Sequence, residues 1–297
     1  MKTLDELRRS IDEIDDKIHD LIMERTKIVE GVRLAKEGES IKIRPAREAQ
    51  IIYRLLGRHS GPFPKRELVR IWRELINATL SSEGPFSAGV FVGEDCEGFW
   101  DLARDQYGSF TPMTQFTSTR RVVEAVQNQE VTLGVLPIPI RRDDDPWWRR
   151  LATTVDGTPR IIAKLPFAGP GNARSAEREA LVICPVEMEQ TGRDRTYLVF
   201  ESGGELPEAA FARAAKKAKL DVLFAADWDD PTRPQIWLKL VEAEGFIKEN
   251  DARIETVTEE CKKFGGEVSR VMKLGGYAVA LNEKDLSPDA PEPASKA

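Results

Sequence analysis

The sequence predicts a multidomain protein, with an all-α N-terminal domain followed by an α/β lobe and a C-terminal α+β unit. Helical apolar periodicity runs through residues 4–83, and after Gly84-Pro85 short strands alternate with helices. From Tyr197 the predicted elements follow the order βαββαβ, which is typical of a ferredoxin-like unit. At 297 residues the chain is long enough for two or three such units.

The first predicted helix carries cations on its apolar face. Leu21, Ile28 and Val32 lie at the spacing of one buried helix face, and Arg25 interrupts their stripe, with Lys36 one turn beyond it. A guanidinium on such a face is costly unless a negative group meets it. Arg25 therefore indicates either an internal ion pair or a site for an anion.

The spacing of these cations along the helix shows which of them can bind the same small ligand within one chain. Arg25 and Lys36 are about 16 Å apart along the axis, so two long side chains could bracket a small dianion. Arg8 lies about 25 Å from Arg25 and cannot reach the same small ligand within one chain. Arg8 is therefore either a surface residue or part of a site on a second subunit.

Two shorter helices follow, each with polar groups on its apolar face. Pro45 marks the start of the second helix, with Arg47 and Glu48 in its first turns. The third helix, residues 65–82, is predicted to bury one stripe of side chains: Leu68, Trp72, Leu75 and Thr79. Glu83 extends this stripe by one more turn. Together the three helices suggest one enclosed polar site.

This layout resembles the all-helical chorismate mutases, over residues 4–83. "LRRSIDEIDDKIHDLIMERTKIVEGVRLAK" is similar to the first helix of that family, and "RPAREAQIIYRLL" to its second. The resemblance implies an intertwined dimer of three-helix domains with no cofactor and no metal. It also implies chorismate as the substrate and prephenate as the product.

The resemblance assigns a role to each candidate site residue. Arg8 is the arginine donated across the dimer, and Arg25 binds a substrate carboxylate within the subunit. Lys36 meets both a carboxylate and the ether oxygen, and Glu83 is a second ether-oxygen donor where many members have glutamine. Arg47 and Glu48 are the Arg-Glu pair that binds substrate in that family, and Thr79 is the hydroxyl residue of the third helix. Arg44 stands at a further substrate-binding position, where some members have aspartate.

These residue types suit a pericyclic rearrangement, which needs no nucleophile and no proton transfer. The protein must hold a dicarboxylate in a compact conformer, and the arginines and lysine do this by orientation. Lys36 and a protonated Glu83 would stabilise the charge that develops on the ether oxygen. Glu48 would accept a hydrogen bond from the ring hydroxyl.

The middle region resembles the first lobe of prephenate dehydratase, but it departs from that family at the positions of its sequence motifs. Pro139 and Ile140 stand where that family has Glu and Asn, and the Thr-Arg-Phe motif is replaced by Arg195-Thr196-Tyr197. A shift of one residue on a strand puts Thr196 on the opposite face. We therefore expect a degenerate lobe without dehydratase activity. The run "RRDDDPWWRR" indicates a solvated loop with packed tryptophans, or else an acidic/aromatic site.

The C-terminal unit resembles the ACT regulatory domain. Its phenylalanine-binding loop would begin near Gly203-Gly204-Glu205-Leu206, which keeps the glycines. The Glu-Ser-Arg-Pro segment of that family would fall near Ala226-Asp227-Trp228-Asp229, which does not match. The unit therefore either binds an aromatic amino-acid effector or serves only in packing and dimerisation.

Composition favours a cytoplasmic enzyme. The chain is 32% charged with a net charge of −6 and no uncompensated basic stretch, which argues against nucleic-acid binding. No apolar stretch is long enough for a membrane span or resembles a signal peptide. Three widely spaced cysteines without a CxxC motif favour a reduced compartment, each as a small core residue: Cys96, Cys184 and Cys261.

We predict a chorismate mutase that works as a homodimer. The alternatives are a bifunctional chorismate mutase–prephenate dehydratase, or a non-catalytic amino-acid-sensing regulator. The predicted units are the mutase domain, the degenerate lobe, the ACT-like domain and a disordered tail: residues 1–84, 86–192, 193–281 and 282–297.

Overall fold

The computed structural model describes residues 2–35, 43–82, 85–93, 97–172, 174–175 and 178–287. The N-terminal region is all helical, as predicted: α1 Leu4–Ala35, α2 Pro45–Gly57 and α3 Lys65–Ser82. Pro45 lies in the first turn of α2, where its fixed φ and missing N–H fit a helix start. Within the described part of the chain, no helix is long and apolar enough to cross a membrane.

The apolar stripe of α1 is exposed in the single chain, although the sequence predicted a buried face. Ile14 is 54% exposed, Leu21 63% and Ile28 62%. The α2 helix packs on α3 and on β9, and α3 packs on α4, whereas α1 does not pack extensively on any of them. The rest of the same chain therefore leaves the stripe of α1 uncovered.

The α/β lobe contains five strands and two helices. Their bounds are β1 Ala88–Phe91, α4 Glu97–Tyr107, β2 Met113–Phe116, α5 Thr119–Gln127, β3 Leu133–Pro137, β4 Arg160–Leu165 and β5 Ala180–Cys184. β1 pairs in parallel with β2 and β3, and β5 is antiparallel to both β3 and β4. The sequence predicted β1, β3 and β5, which are mostly buried, but neither β4 nor β2, an edge strand with exposed Thr114 and Gln115.

The C-terminal unit has the predicted βαββαβ order of elements. Its elements are β6 Asp194–Ser202, α6 Glu208–Lys217, β7 Val222–Asp229, β8 Trp237–Glu244, α7 Ala252–Lys263 and β9 Val268–Ala278. They pair in the order β9-β6-β8-β7, with every neighbouring pair antiparallel. Both helices pack on one face of this sheet around a core that includes Phe200, Phe211 and Val257.

Two predictions at the C-terminal end were wrong. The last strand was expected at Tyr277–Leu281, but the strand β9 is Val268–Ala278. It begins in a less buried segment with exposed Ser269 and Arg270, ahead of the buried run that ends at Tyr277. The tail was expected to be disordered from Asn282, but Glu283–Leu286 forms a helical turn, α8. Asn282 accepts hydrogen bonds from the first backbone N–H groups of α8, and Asp285 completes a capping box. Most of the remaining tail lies outside the described residues.

The lobe and the C-terminal unit share one nine-stranded sheet, in the order β2-β1-β3-β5-β4-β9-β6-β8-β7. The junction is the parallel contact between Ile161 of β4 and Gly275 of β9. Gly275 has φ +111°, and a Cβ there would collide with the backbone of Ile161. Only glycine lets the two strands approach so closely at this conformation.

Candidate active site

The α1 helix presents the two described cations of the predicted site at separate places. Arg8 is exposed and lies 3.6 Å from the equally exposed Asp5. Arg25 is half-buried, and that burial lowers the pKa of its guanidinium. No carboxylate of the described residues pairs with Arg25. Lys36, which follows the last residue of α1 in the sequence, lies outside the described residues.

The α2 helix carries the next three candidates on its N-terminal turns. Arg44 precedes the helix and makes a bidentate ion pair with Glu189 of the lobe, with Nη2–Oε1 and Nη2–Oε2 distances of 2.7 and 2.9 Å. Arg47 is exposed, and the structure gives it no ion-pair partner among the residues it describes. Glu48 is buried and faces Arg73 of α3.

Glu48 and Arg73 form a buried ion pair that the sequence analysis missed. Arg73 Nη1 donates to Glu48 Oε2 at 2.7 Å, and the two side chains are 6% and 10% exposed. Burial raises the pKa of Glu48 despite the opposing effect of Arg73, and burial lowers the pKa of Arg73. The Arg73 guanidinium also lies over the Phe167 ring, 4.6 Å from its centroid.

The sequence does contain a signal for Arg73, on a face of α3 other than the one predicted to be buried. The stripe of Leu68, Trp72, Leu75 and Thr79 is only half-buried. The more buried stripe is shifted by one residue and contains Arg73 among apolar side chains: Val69, Ile76 and Leu80. An arginine that interrupts an apolar stripe is the same signal that singled out Arg25.

Of the two site residues predicted at the end of the third helix, the structure describes Thr79. The Thr79 hydroxyl is half-buried and donates to the carbonyl oxygens of Leu75 and Ile76, at 3.2 and 2.8 Å. Glu83 lies outside the described residues. The structure therefore brings Glu48 and Arg73 together between α2 and α3, while Arg47 is exposed on α2. Among the described residues, no ion pair joins these side chains to Arg8 or Arg25 of α1.

The residues that depart from the dehydratase pattern have structural roles. Thr196 is fully buried, and its hydroxyl donates to Gly245 O at 2.7 Å and accepts from Ile247 N at 3.0 Å. Pro139 is buried, whereas Ile140 is 60% exposed. The Thr196 hydroxyl is therefore occupied in joining β6 to the segment after β8.

The acidic and aromatic run of the lobe is a loop with packed tryptophans, as favoured by the sequence. Trp147 and Trp148 are 3% and 1% exposed in the core, and Trp147 Nε1 donates to Pro137 O at 3.0 Å. Asp143 and Asp144 are exposed. Cys184 and Cys261 are buried core residues, also as predicted, and burial raises the pKa of Cys184 to about 12.

The glycine loop of the C-terminal unit connects β6 to α6. Ser202 Oγ donates to Gly204 O at 2.7 Å, which closes the turn, and Leu206 is buried in the adjoining core. On β7, Asp227 pairs with the buried Lys239 of β8 at 2.5 Å. These contacts fix the loop and the strand, and effector binding there stays a prediction.

Curated relatives share sequence with the first half of the chain. The chain is 31% identical over 143 residues to the bifunctional chorismate mutase/prephenate dehydratase of Aquifex aeolicus, covering 46% of this chain and 39% of that protein. It is 28% identical over 138 residues to the enzyme of the same name from Pseudomonas aeruginosa, covering 44% and 38%. The matches therefore span about two fifths of each relative.

Part of the chain is similar to a solved structure. The prephenate dehydratase of Arthrobacter aurescens, in complex with L-Phe, superposes with a TM-score of 0.46 at 12% identity. The superposition covers 70% of this chain and 93% of that one.

The family comparison concerns the helical region. Residues 7–84 match the family described as chorismate mutase type II, and this range contains all eight predicted site residues. It also contains α2, α3 and all but the first turn of α1. The match to the chorismate mutase type II family therefore lies in the N-terminal helical region of the chain.

Proposed function

We propose that the chain is a chorismate mutase, which rearranges chorismate to prephenate in aromatic amino acid biosynthesis, in the cytoplasm. The observation that carries this proposal is a set of cations available to an anion on the matched helices. Arg25 and Arg47 have no ion pair among the described residues, and Arg8 has only an exposed one, at 3.6 Å. Of the three, Arg25 is half-buried, and burying a guanidinium without a carboxylate is costly unless an anion meets it.

The proposed chemistry follows from the substrate. Chorismate carries two carboxylates, and Arg25, Arg47 and Lys36 would fix them in the compact conformer, which supplies orientation. Lys36 and a protonated Glu83 would aim N–H and O–H donors at the ether oxygen, where negative charge develops as the bond breaks. The reaction needs no cofactor and transfers no proton.

We propose further that two copies of the chain share each site. The stripe on α1 repeats at alternating steps of three and four residues, with Arg25 in the place between Leu21 and Ile28. Its apolar members are about half exposed or more: Leu4, Leu7, Ile11, Ile14, Ile18, Leu21, Ile28 and Val32. An apolar stripe of this spacing and exposure marks a helix-packing surface. A second copy would cover it, and its Arg8 would reach the site that Arg8 of the same chain cannot.

We do not extend the proposal to dehydratase chemistry. The hydroxyl of Thr196 is held by Gly245 and Ile247, and the strand register turns it away from the position that the dehydratase pattern requires. An aromatic amino-acid effector at the loop of Gly203-Gly204 remains the proposed role for the C-terminal unit.

The test is direct conversion of chorismate. The purified chain should consume chorismate and produce prephenate, without phenylpyruvate. Arg25→Gln should lower kcat/KM about 100-fold or more, since it removes a charged group that orients the substrate. Lys27→Gln is the matched control, because Lys27 is an exposed cation two residues away on another side of α1, and it should leave turnover unchanged. A wild-type chain that leaves chorismate intact would refute the proposed function.

A further inference from the structure

The helix that carries Arg47 is held by parts of the chain more than a hundred residues away. At its N-terminal end, Arg44 is paired with Glu189 of the lobe. On the next turns, Gln50 Nε2 donates to Gln190 O at 3.2 Å, and the Tyr53 hydroxyl donates to Val279 O after β9. The α2 helix is therefore attached to the segments that border the C-terminal unit on both sides.

Tyr53 is the best-anchored of these residues. Its ring lies 5.8 Å from that of Phe167, and the guanidinium of Arg193 lies over it, 4.8 Å from the ring centroid. Burial raises the pKa of Tyr53 to about 12, so the hydroxyl keeps its proton and remains a donor at neutral pH. A cation over a tyrosine ring adds an attraction that depends on the position of the cation.

Arg193 is itself fixed by the C-terminal turn. Its Nη2 and Nη1 donate to the two carboxylate oxygens of Asp285, at 3.0 and 3.3 Å. Asp285 is held in the capping box of α8 with Asn282. A continuous chain of contacts therefore runs from α8 through Asp285, Arg193 and Tyr53 to α2.

The register of α2 matters to a site that uses Arg47. Tyr53 lies six residues after Arg47, about 9 Å along a rigid helix, so a rotation or slide at Tyr53 is passed on to Arg47. A small displacement of an orienting group is enough to weaken its hold on a substrate.

We propose that Arg193 and Tyr53 are positioning residues for the mutase site, which they serve by fixing the α2 helix that presents Arg47. The inference rests on the proposed function, since Arg47 must bind substrate for its position to matter. Neither residue touches the substrate. The C-terminal unit thereby becomes a support of the mutase domain, whether or not it binds an effector.

The test compares Arg193→Met with Arg193→Lys in chorismate turnover. Arg193→Met should raise KM five- to tenfold, because Arg47 is no longer held in place, whereas Arg193→Lys should keep KM within twofold, because lysine can still pair with Asp285 and lie over Tyr53. A loss of folded protein would lower the apparent kcat but leave KM unchanged. The matched control is Arg270→Met, which removes an ion pair of similar exposure with Glu201, at 2.7 Å, and should leave KM unchanged.

A double variant tests the route through α2. In an Arg47→Gln background, Arg193→Met should raise KM by less than a further twofold, because the group that it positions is already gone. A full and independent increase in that background would overturn the proposal. So would an Arg193→Met variant with the KM of the wild type.

Hydrogen exchange separates this proposal from the proposed function. In Arg193→Met, the amides of residues 45–57 should exchange faster than in the wild type, while those of α5 should not change. Unchanged exchange in α2 would overturn the positioning role even in an active enzyme. Faster exchange in a chain that leaves chorismate intact would support the hold on α2 and refute the mutase assignment.

Discussion

Removing the positive partner of the buried Glu48–Arg73 pair should destabilise the protein in a pH-dependent way. Arg73→Met keeps much of the side-chain length but leaves the Glu48 carboxylate, 10% exposed, without a partner. Breaking a buried pair in this way costs about 3–5 kcal/mol. We take this range to include the cost of losing the contact between Arg73 and the Phe167 ring. The free energy of unfolding should therefore fall by about 4 kcal/mol at pH 8.

The pH dependence follows from the direction of the pKa shift. Burial already raises the pKa of Glu48 above its ordinary value of 4.5, and Arg73 provides the two largest effects that lower it. Without Arg73 the folded-state pKa rises further. A raised carboxyl pKa means that stability is intact below the unfolded value and is lost as pH rises through the folded pKa. The difference in stability between the variant and the wild type should therefore grow as pH rises from the folded pKa of the wild-type carboxyl towards the higher one of the variant, by up to about 1.4 kcal/mol per pH unit.

Urea unfolding followed by circular dichroism, at intervals from pH 4.5 to 8, measures this loss. The double variant Glu48→Met, Arg73→Met should recover most of the stability at pH 8, because it leaves no buried charge. Arg120→Met, which breaks an exposed pair with Glu124, should have no measurable effect. The reasoning is refuted if Arg73→Met loses the same free energy at every pH, or if the double variant is no more stable than the single one.

Three further predictions concern the ether oxygen, the lobe and the dimer. Glu83→Gln supplies a permanent N–H donor in place of a carboxyl that donates only when protonated. The pH–rate profile of the variant should therefore be flatter than that of the wild type, and its activity at pH 8 should be at least as high. Superimposable profiles would count against a position of Glu83 at the ether oxygen. Thr196→Val should cost about 1–3 kcal/mol of stability, measured by urea unfolding, because Ile247 N and Gly245 O lose their partner. Neither this variant nor the wild type should form phenylpyruvate from prephenate above the spontaneous rate. Clear conversion by the wild type that Thr196→Val abolishes would contradict the absence of dehydratase activity. Ile14→Glu places a charge on the exposed stripe of α1 and should shift sedimentation towards the monomer, whereas an unchanged dimer would exclude this stripe from the interface.

Local patterns were enough to predict most of the fold. The start of α2 at Pro45 and the order of elements from Asp194 to Ala278 depend on periodicity, turn residues and caps, all of which lie within a few residues of one another. The misplaced last strand has a local cause as well. The strand β9 begins with the exposed polar residues Ser269 and Arg270, and such a segment is easily confused with a loop beside the continuous run of buried residues at the end of the strand.

The contacts that define the surroundings of the site could not be predicted in the same way. Glu48 meets Arg73, 25 residues later, and Arg44 meets Glu189, 145 residues later. Such pairs depend on how α2 packs against α3 and the lobe, and no local pattern specifies a partner at that distance. The exposed stripe of α1 is a further case, because periodicity shows that a face is apolar but not whether the same chain covers it.

The most direct test of the central claim is recovery of activity in mixed dimers. Arg8→Ala and Lys36→Ala subunits, each inactive alone, are mixed under conditions in which subunit exchange is shown by a size or mass label. If chorismate is rearranged at a site that takes Arg8 from one chain and Lys36 from the other, one of the two sites in each hybrid dimer is intact. The mixture should then recover up to about a quarter of the wild-type turnover, with half of the dimers hybrid and one site active in each. Exchanged dimers that stay inactive would contradict the shared site.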